Sequence, residues 1–110
     1  MEESREKRLA RAGWHTGSVQ EFLGLSDDEM ALIEMRISLS NELKARRLKL
    51  GLTQQQVAKR IASSQARVAK METGDRSVSL DLLIQSLLKL GASQSEVGRI
   101  IGKKPAGHAA

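Results

Sequence analysis

The sequence predicts an all-α fold, on three observations. One Phe and one Trp are the only aromatic residues among 110, so the core must be built from Leu, Ile, Val, Met and Ala. Apolar residues recur at helical spacing, most clearly at Leu80, Leu83, Ile84, Leu87 and Leu88. No segment alternates apolar and polar residues as a half-buried strand does. The length suits one domain with little chain to spare.

Residues 1–12 alternate charges without an apolar stripe and read as a frayed helix or disordered arm. GWHTG at 13–17 breaks any helix there, and Val19, Phe22, Leu23 and Leu25 form a short apolar cluster. Residues 1–25 are thus expected to be a flexible arm ending in an apolar docking segment. Ser26 and Glu29 have capping-box spacing, each side chain able to satisfy the other's backbone N–H. A long helical pattern runs from there to Leu50, with Met30, Ile33 and Ile37 on one strip. Leu32, Met35, Leu39, Leu43 and Leu50 lie on the next. Ser38, Ser40 and Asn41 are weak helix formers, where a bend or restart is expected. Gly51 closes the helix.

Thr53 opens the next element as an N-cap, with Val57, Ala58 and Ile61 on its inner face. Ser63 and Ser64 punctuate. A helix follows from about Gln65 to Glu72, ended by Gly74. Ser79 caps the Leu-rich run and Gly91 stops it. Ser93 and Glu96 repeat the capping-box spacing before Val97, Ile100 and Ile101. The expected division is an arm over 1–25, a helical domain over 26–102 and a disordered tail over 103–110.

Eighteen basic against thirteen acidic residues give a net charge of +5. The excess is densest over 51–76, at five cations to two carboxylates, which points there for a surface that meets an anion. No Cys is present, which excludes disulfides and thiol chemistry. No apolar run approaches the roughly 20 residues needed to span a bilayer, and the charged amino terminus has no secretory pattern. The chain reads as intracellular. His15 and His108 stand alone, so no metal site is expected. GRIIGKK at 98–104 has one residue too few for a phosphate loop and lacks its Ser or Thr. Asp27, Asp28 and Glu29 at a helix start suit the helix dipole better than catalysis. No catalytic residue, enzyme activity or cofactor is expected.

The stretch GLTQQQVAKRIASSQARVAKMETG at 51–74 holds two short helices and a tight turn, a helix-turn-helix unit over 53–74. Its apolar positions are Val57, Ile61, Val68 and Met71, with the small Ala58 where the helices would cross closely. A helix enters the major groove usefully only when such a crossing fixes its angle. With Val68 and Met71 inward, Ala66, Lys70 and Thr73 point outward and Arg67 and Ala69 flank them. Gln65, Ala66, Arg67 and Lys70 are therefore candidates for base contact: Arg or Lys to guanine, Gln to adenine, Ala to a thymine methyl. Thr53, Gln54, Ser63 and Ser64, at helix starts, are candidates for phosphate contact.

LKARRLKLGLTQQQVAKRIASSQARVAKMETG with the Ser-capped Leu-rich helix behind it resembles the XRE family, the Cro and phage-repressor type of DNA-binding protein. GSVQEFLGLSDDEMALIEMRISLS before it is similar to the helical extension of HigA-like antitoxins. The resemblance implies a five-helix lambda-repressor-like domain with an amino-terminal helical extension. It also implies an Arg47–Glu72 ion pair tying the first helix of that domain to the third. Ala62 stands where the family's turn usually has Gly, and Ser63 where an apolar residue is common.

The resemblance further implies a homodimeric repressor on an inverted-repeat operator in double-stranded DNA, cytoplasmic and nucleoid-associated in a bacterium. A RelE-type toxin is then a partner, and Trp14, Val19, Phe22, Leu23 and Leu25 are candidates for contacting it, or else for the protein's own packing. The dimer seam is expected at the last helix (Val97, Ile100, Ile101) or at the amino-terminal helix. A stand-alone or phage-type regulator without a toxin, and an interaction adapter that does not bind DNA, are the alternatives.

Overall fold

The computed structural model describes residues 16–103, with side chains from Gln20 onward. Among these residues six helices follow one another: α1 Thr16–Leu23, α2 Asp27–Lys49, α3 Gln54–Arg60, α4 Gln65–Thr73, α5 Leu80–Lys89 and α6 Gln94–Gly102. Among the described residues no strand occurs. Residues 1–12, Trp14, His15, the tail over 104–110 and the side chain of Val19 lie outside the described part.

Local chemistry starts most of these helices. The Ser26, Thr53 and Ser93 hydroxyls accept from Glu29, Gln56 and Glu96 backbone N–H groups, and each of those side chains accepts from its cap's N–H in return. Ser64 and Ser79 cap α4 and α5 with the first half of that exchange. Gly74, at φ +73°, ends α4 in the left-handed conformation.

The core is aliphatic and lies between α2 and the later helices. Leu39, Leu43, Val57, Ala58, Ile61, Val68, Met71, Val78, Leu83, Leu87, Leu90, Ala92, Val97 and Ile100 form one buried cluster. Val57, Ala58, Ile61, Val68 and Met71 all meet in it, so the packing that holds α3 against α4 is in place.

Four sequence expectations change. Helix α1 begins at Thr16 with Gly17 in its first turn, so residues 13–17 do not all interrupt helix. Backbone N–H groups of a first turn need no intrahelical acceptor, and a glycine there removes little. Helix α2 runs unbroken through Ser38, Ser40 and Asn41. Ser38 and Ser40 are buried, with the Ser38 hydroxyl donating to the Lys103 carbonyl at 3.2 Å; tertiary packing outweighs their weak propensity. The apolar strips of α2 are not all internal, since Leu32, Ile33 and Leu50 are exposed and the shared core begins only at Leu39. Val97 and Ile100 are buried in the chain's own core, which leaves only the half-buried Ile101 of the expected seam on the surface. GRIIG is part of α6 and forms no loop.

Candidate nucleic-acid interface

A chain of polar contacts runs from α2 to the outer face of α4. The Arg47 guanidinium donates to both Glu72 oxygens, Nε to Oε2 at 2.5 Å and Nη2 to Oε1 at 3.0 Å. Its Nη1 donates to the Leu52 carbonyl at 2.9 Å. The pair is largely enclosed, with 12% and 4% of the two side chains exposed. Hydrogen bonding to Glu72 raises the Arg47 pKa further, so the guanidinium stays charged. Glu72 Oε1 also accepts from Gln54 Nε2 at 3.1 Å, and Gln54 Oε1 accepts from Gln65 Nε2 at 2.6 Å. A buried ion pair thereby sets the orientation of two amides at the surface.

That last contact brings the first turns of α3 and α4 side by side. The Thr53 and Ser64 hydroxyls accept from Gln56 N–H at 3.1 Å and Arg67 N–H at 3.2 Å. The N–H groups of Gln54, Gln55, Gln65 and Ala66 stand ahead of any intrahelical acceptor.

On α4 the side chains of Gln65, Ala66, Arg67 and Lys70 are all exposed. Arg67 and Lys70 take part in no ion pair among the described residues. Ser64, Ala66, Arg67 and Lys70 form one wall of a groove of about 510 Å³, closed on the other side by Ser77, Val78, Ser79 and Leu82. Thr53 and Ser64 are exposed, and Gln54 and Ser63 are half-buried. A second cleft, at the start of α3, brings Thr53, Gln54 and Gln65 together beside Arg47 and Leu52. The two clefts divide the eight candidate contact residues between them, apart from Ser63.

The loop between α4 and α5 contributes what the sequence reading missed. Ser77 and Ser79 line the groove opposite Arg67 and Lys70. Asp75, just past α4, accepts from the Ser77 hydroxyl at 2.6 Å and from its N–H at 2.8 Å. These bonds, with Lys70 and Arg36 nearby, hold its carboxyl below the usual range. The Arg36 guanidinium donates to the Val78 carbonyl and pins the loop to α2. A serine-rich turn ahead of a capped helix, beginning three residues after Gly74, was the available signal. Leu23 of the apolar cluster is exposed, and Phe22 and Leu25 are half-buried.

With this geometry fixed, comparison with known families assigns the centre of the chain. A family model described as helix-turn-helix matches residues 43–91. Residues 43–91, somewhat under half of the chain, are similar to a helix-turn-helix domain. The match is of the XRE type and spans the C-terminal end of α2 through α5, including every candidate DNA-contact residue. A match of this kind suggests a DNA-binding transcription regulator. The match does not reach α1 or the first half of α2, so the antitoxin-like extension gains no support from it. No curated protein and no solved structure matches the chain. Among the described residues no helix is long and apolar enough to cross a membrane, and no His, Asp or Glu cluster could hold a metal ion.

Proposed function

We propose that this protein is a sequence-specific transcriptional repressor that binds an inverted-repeat operator as a homodimer. In this reading α4 enters the major groove. Gln65, Ala66, Arg67 and Lys70 meet base edges, while Thr53, Gln54, Ser63 and Ser64 meet phosphates. A two-fold dimer places half-site centres roughly 34 Å apart, one helical turn of DNA. The observation that carries the reading is the exposed Gln65–Arg67–Lys70 face of α4, lying inside the helix-turn-helix match beside the paired first turns of α3 and α4.

The fuller reading is an antitoxin of a type II toxin–antitoxin module that represses its own operon in the bacterial cytoplasm, with a RelE-type toxin as partner. Its support is the chain ahead of residue 43, which exceeds what the matched domain needs. A gel shift on DNA upstream of the gene, titrated with salt, tests the DNA-binding claim. With about four phosphates neutralised by Lys and Arg side chains, affinity falls about 100-fold for a fourfold rise in salt. A flat salt response contradicts the approach of this cationic face to the DNA backbone.

A further inference from the structure

Charge is divided sharply between residues 16–35 and 36–103, while residues 1–15 are mixed, with four cations and three carboxylates. Residues 16–35 carry five carboxylates (Glu21, Asp27, Asp28, Glu29 and Glu34) and no Lys or Arg. Residues 36–103 carry thirteen cations against five carboxylates. The acidic segment is α1 and the first part of α2, which reach beyond the shared core: among the described side chains Met30 is its one buried hydrophobic residue, and it lies outside the core cluster. Leu32 is 47% exposed, Ile33 36% and Leu23 50%. Large aliphatic side chains stand in solvent on a segment whose own charges are all carboxylates, with Arg36 at its end and Arg76 near Glu29.

That sign narrows what can cover them. DNA phosphates and anionic lipid are repelled. Two-fold pairing of this patch with its copy would set the exposed Glu21, Asp27, Asp28 and Glu29 against their own copies, and like charges juxtaposed across an interface oppose association. The charge complement is a cationic surface with apolar side chains of its own. Hydrogen bonds from Ser26 hold Asp28 and Glu29 below the usual carboxylate range, so both stay ionised at neutral pH.

We propose that α1 and the first part of α2 form the docking surface for a basic protein, with Leu32 and Ile33 as apolar anchors and Glu21 and Asp28 on the charged rim. The inference deepens the antitoxin reading, on which it rests for the partner being a small basic protein. The surface shares no residue with the Arg67 and Lys70 face, so substitutions can address the two one at a time.

The test uses the full chain and a fluorescent amphipathic helical peptide of Leu and Lys as the basic apolar probe, with a Leu and Glu peptide as its acidic counterpart. Anisotropy is expected to show salt-sensitive binding of the basic peptide only, with hydrogen-exchange protection over residues 20–36. Leu32→Ser with Ile33→Ser, and separately Glu21→Lys with Asp28→Lys, should each weaken that binding about tenfold or more. Circular dichroism and the operator gel shift should be unchanged. The charge pair leaves the aliphatic residues alone, so it remains decisive if the first pair disturbs α2.

Equal binding by both variants, or protection elsewhere, overturns the proposal. So does a wild-type dimer that becomes monomeric with Leu32→Ser and Ile33→Ser, since a second copy would then own the patch. The protein encoded beside this gene separates the two readings. If it binds but the variants do not weaken it, the surface is wrong and the antitoxin reading stands. If the peptide behaves as expected and that neighbour is not bound, the antitoxin reading is wrong and the surface stands.

Discussion

Replacing Glu72 by Ala tests the polar chain that supports the DNA-facing amides. The change strips two hydrogen bonds and the counter-charge from Arg47, and one hydrogen bond from Gln54. Removing one partner of an enclosed ion pair costs about 3–5 kcal/mol, because the other charge is left behind without compensation. Arg47 keeps the Leu52 carbonyl, which places the expected loss near the lower end, about 3 kcal/mol. In a domain of this size each kcal/mol moves the melting midpoint by about 4–8 °C, so a fall of roughly 12–24 °C is expected. The assay is urea unfolding followed by far-ultraviolet circular dichroism, run as a double-mutant cycle with Arg47→Ala. A large coupling energy is expected, because the second substitution removes the stranded charge that makes the first costly. The paired replacement Arg47→Met with Glu72→Leu should recover most of the loss, since an apolar pair of similar volume strands nothing. A Glu72→Ala loss below about 1 kcal/mol, or a coupling near zero, would refute the reasoning; an exposed pair gives values of that size.

Three further outcomes follow from the geometry. Ala62 holds φ +54° in the turn between α3 and α4, a conformation that disfavours side chains, so Ala62→Gly should stabilise the protein by about 0.5–1 kcal/mol in the same urea assay. Ala58→Leu should destabilise by about 1–3 kcal/mol and weaken DNA binding in a gel shift, because Ala58 is buried in the core that α3 and α4 share and the added side chain overpacks it. Backbone N–H groups of Ser26 and Ser93 hold the Glu29 and Glu96 carboxyls below their ordinary pKa. Their contribution is complete above the ordinary carboxylate range and disappears as pH falls through the lowered values. The urea midpoint should therefore drop on acidification, and Glu29→Gln with Glu96→Gln should flatten that drop.

What was legible in the sequence is what is decided within a few residues. The cap pairs Ser26 with Glu29 and Ser93 with Glu96 were readable because each spans one helical turn. The spacing of Val57, Ala58, Ile61, Val68 and Met71 was readable because two short helices in one stretch must share it. Contacts between distant residues carried no such signal: Arg46 donates to Glu96 at 2.7 Å across 50 positions, joining α2 to α6. Periodicity could say that Leu32 and Leu39 share a face of α2 but not where the core stops, and only Leu39 is inside. The serines at 38 and 40 misled because propensity ignores burial, which here favours small side chains against neighbouring segments. At Gly74, for instance, an added Cβ would meet Ser40 Oγ at 3.6 Å.

The central claim is that the outer face of α4 meets DNA through Gln65, Arg67 and Lys70. Its most direct test is fluorescence anisotropy on the upstream DNA with Arg67→Ala combined with Lys70→Ala. Both side chains are exposed and make no ion pair among the described residues, so thermal stability should stay within about 0.5 kcal/mol of wild type. Affinity should fall at least about tenfold, and the salt slope should shrink by about 1–2 if these cations also touch phosphate. A doubly substituted protein that binds the same DNA as tightly as wild type, with an unchanged melting curve, would contradict the account.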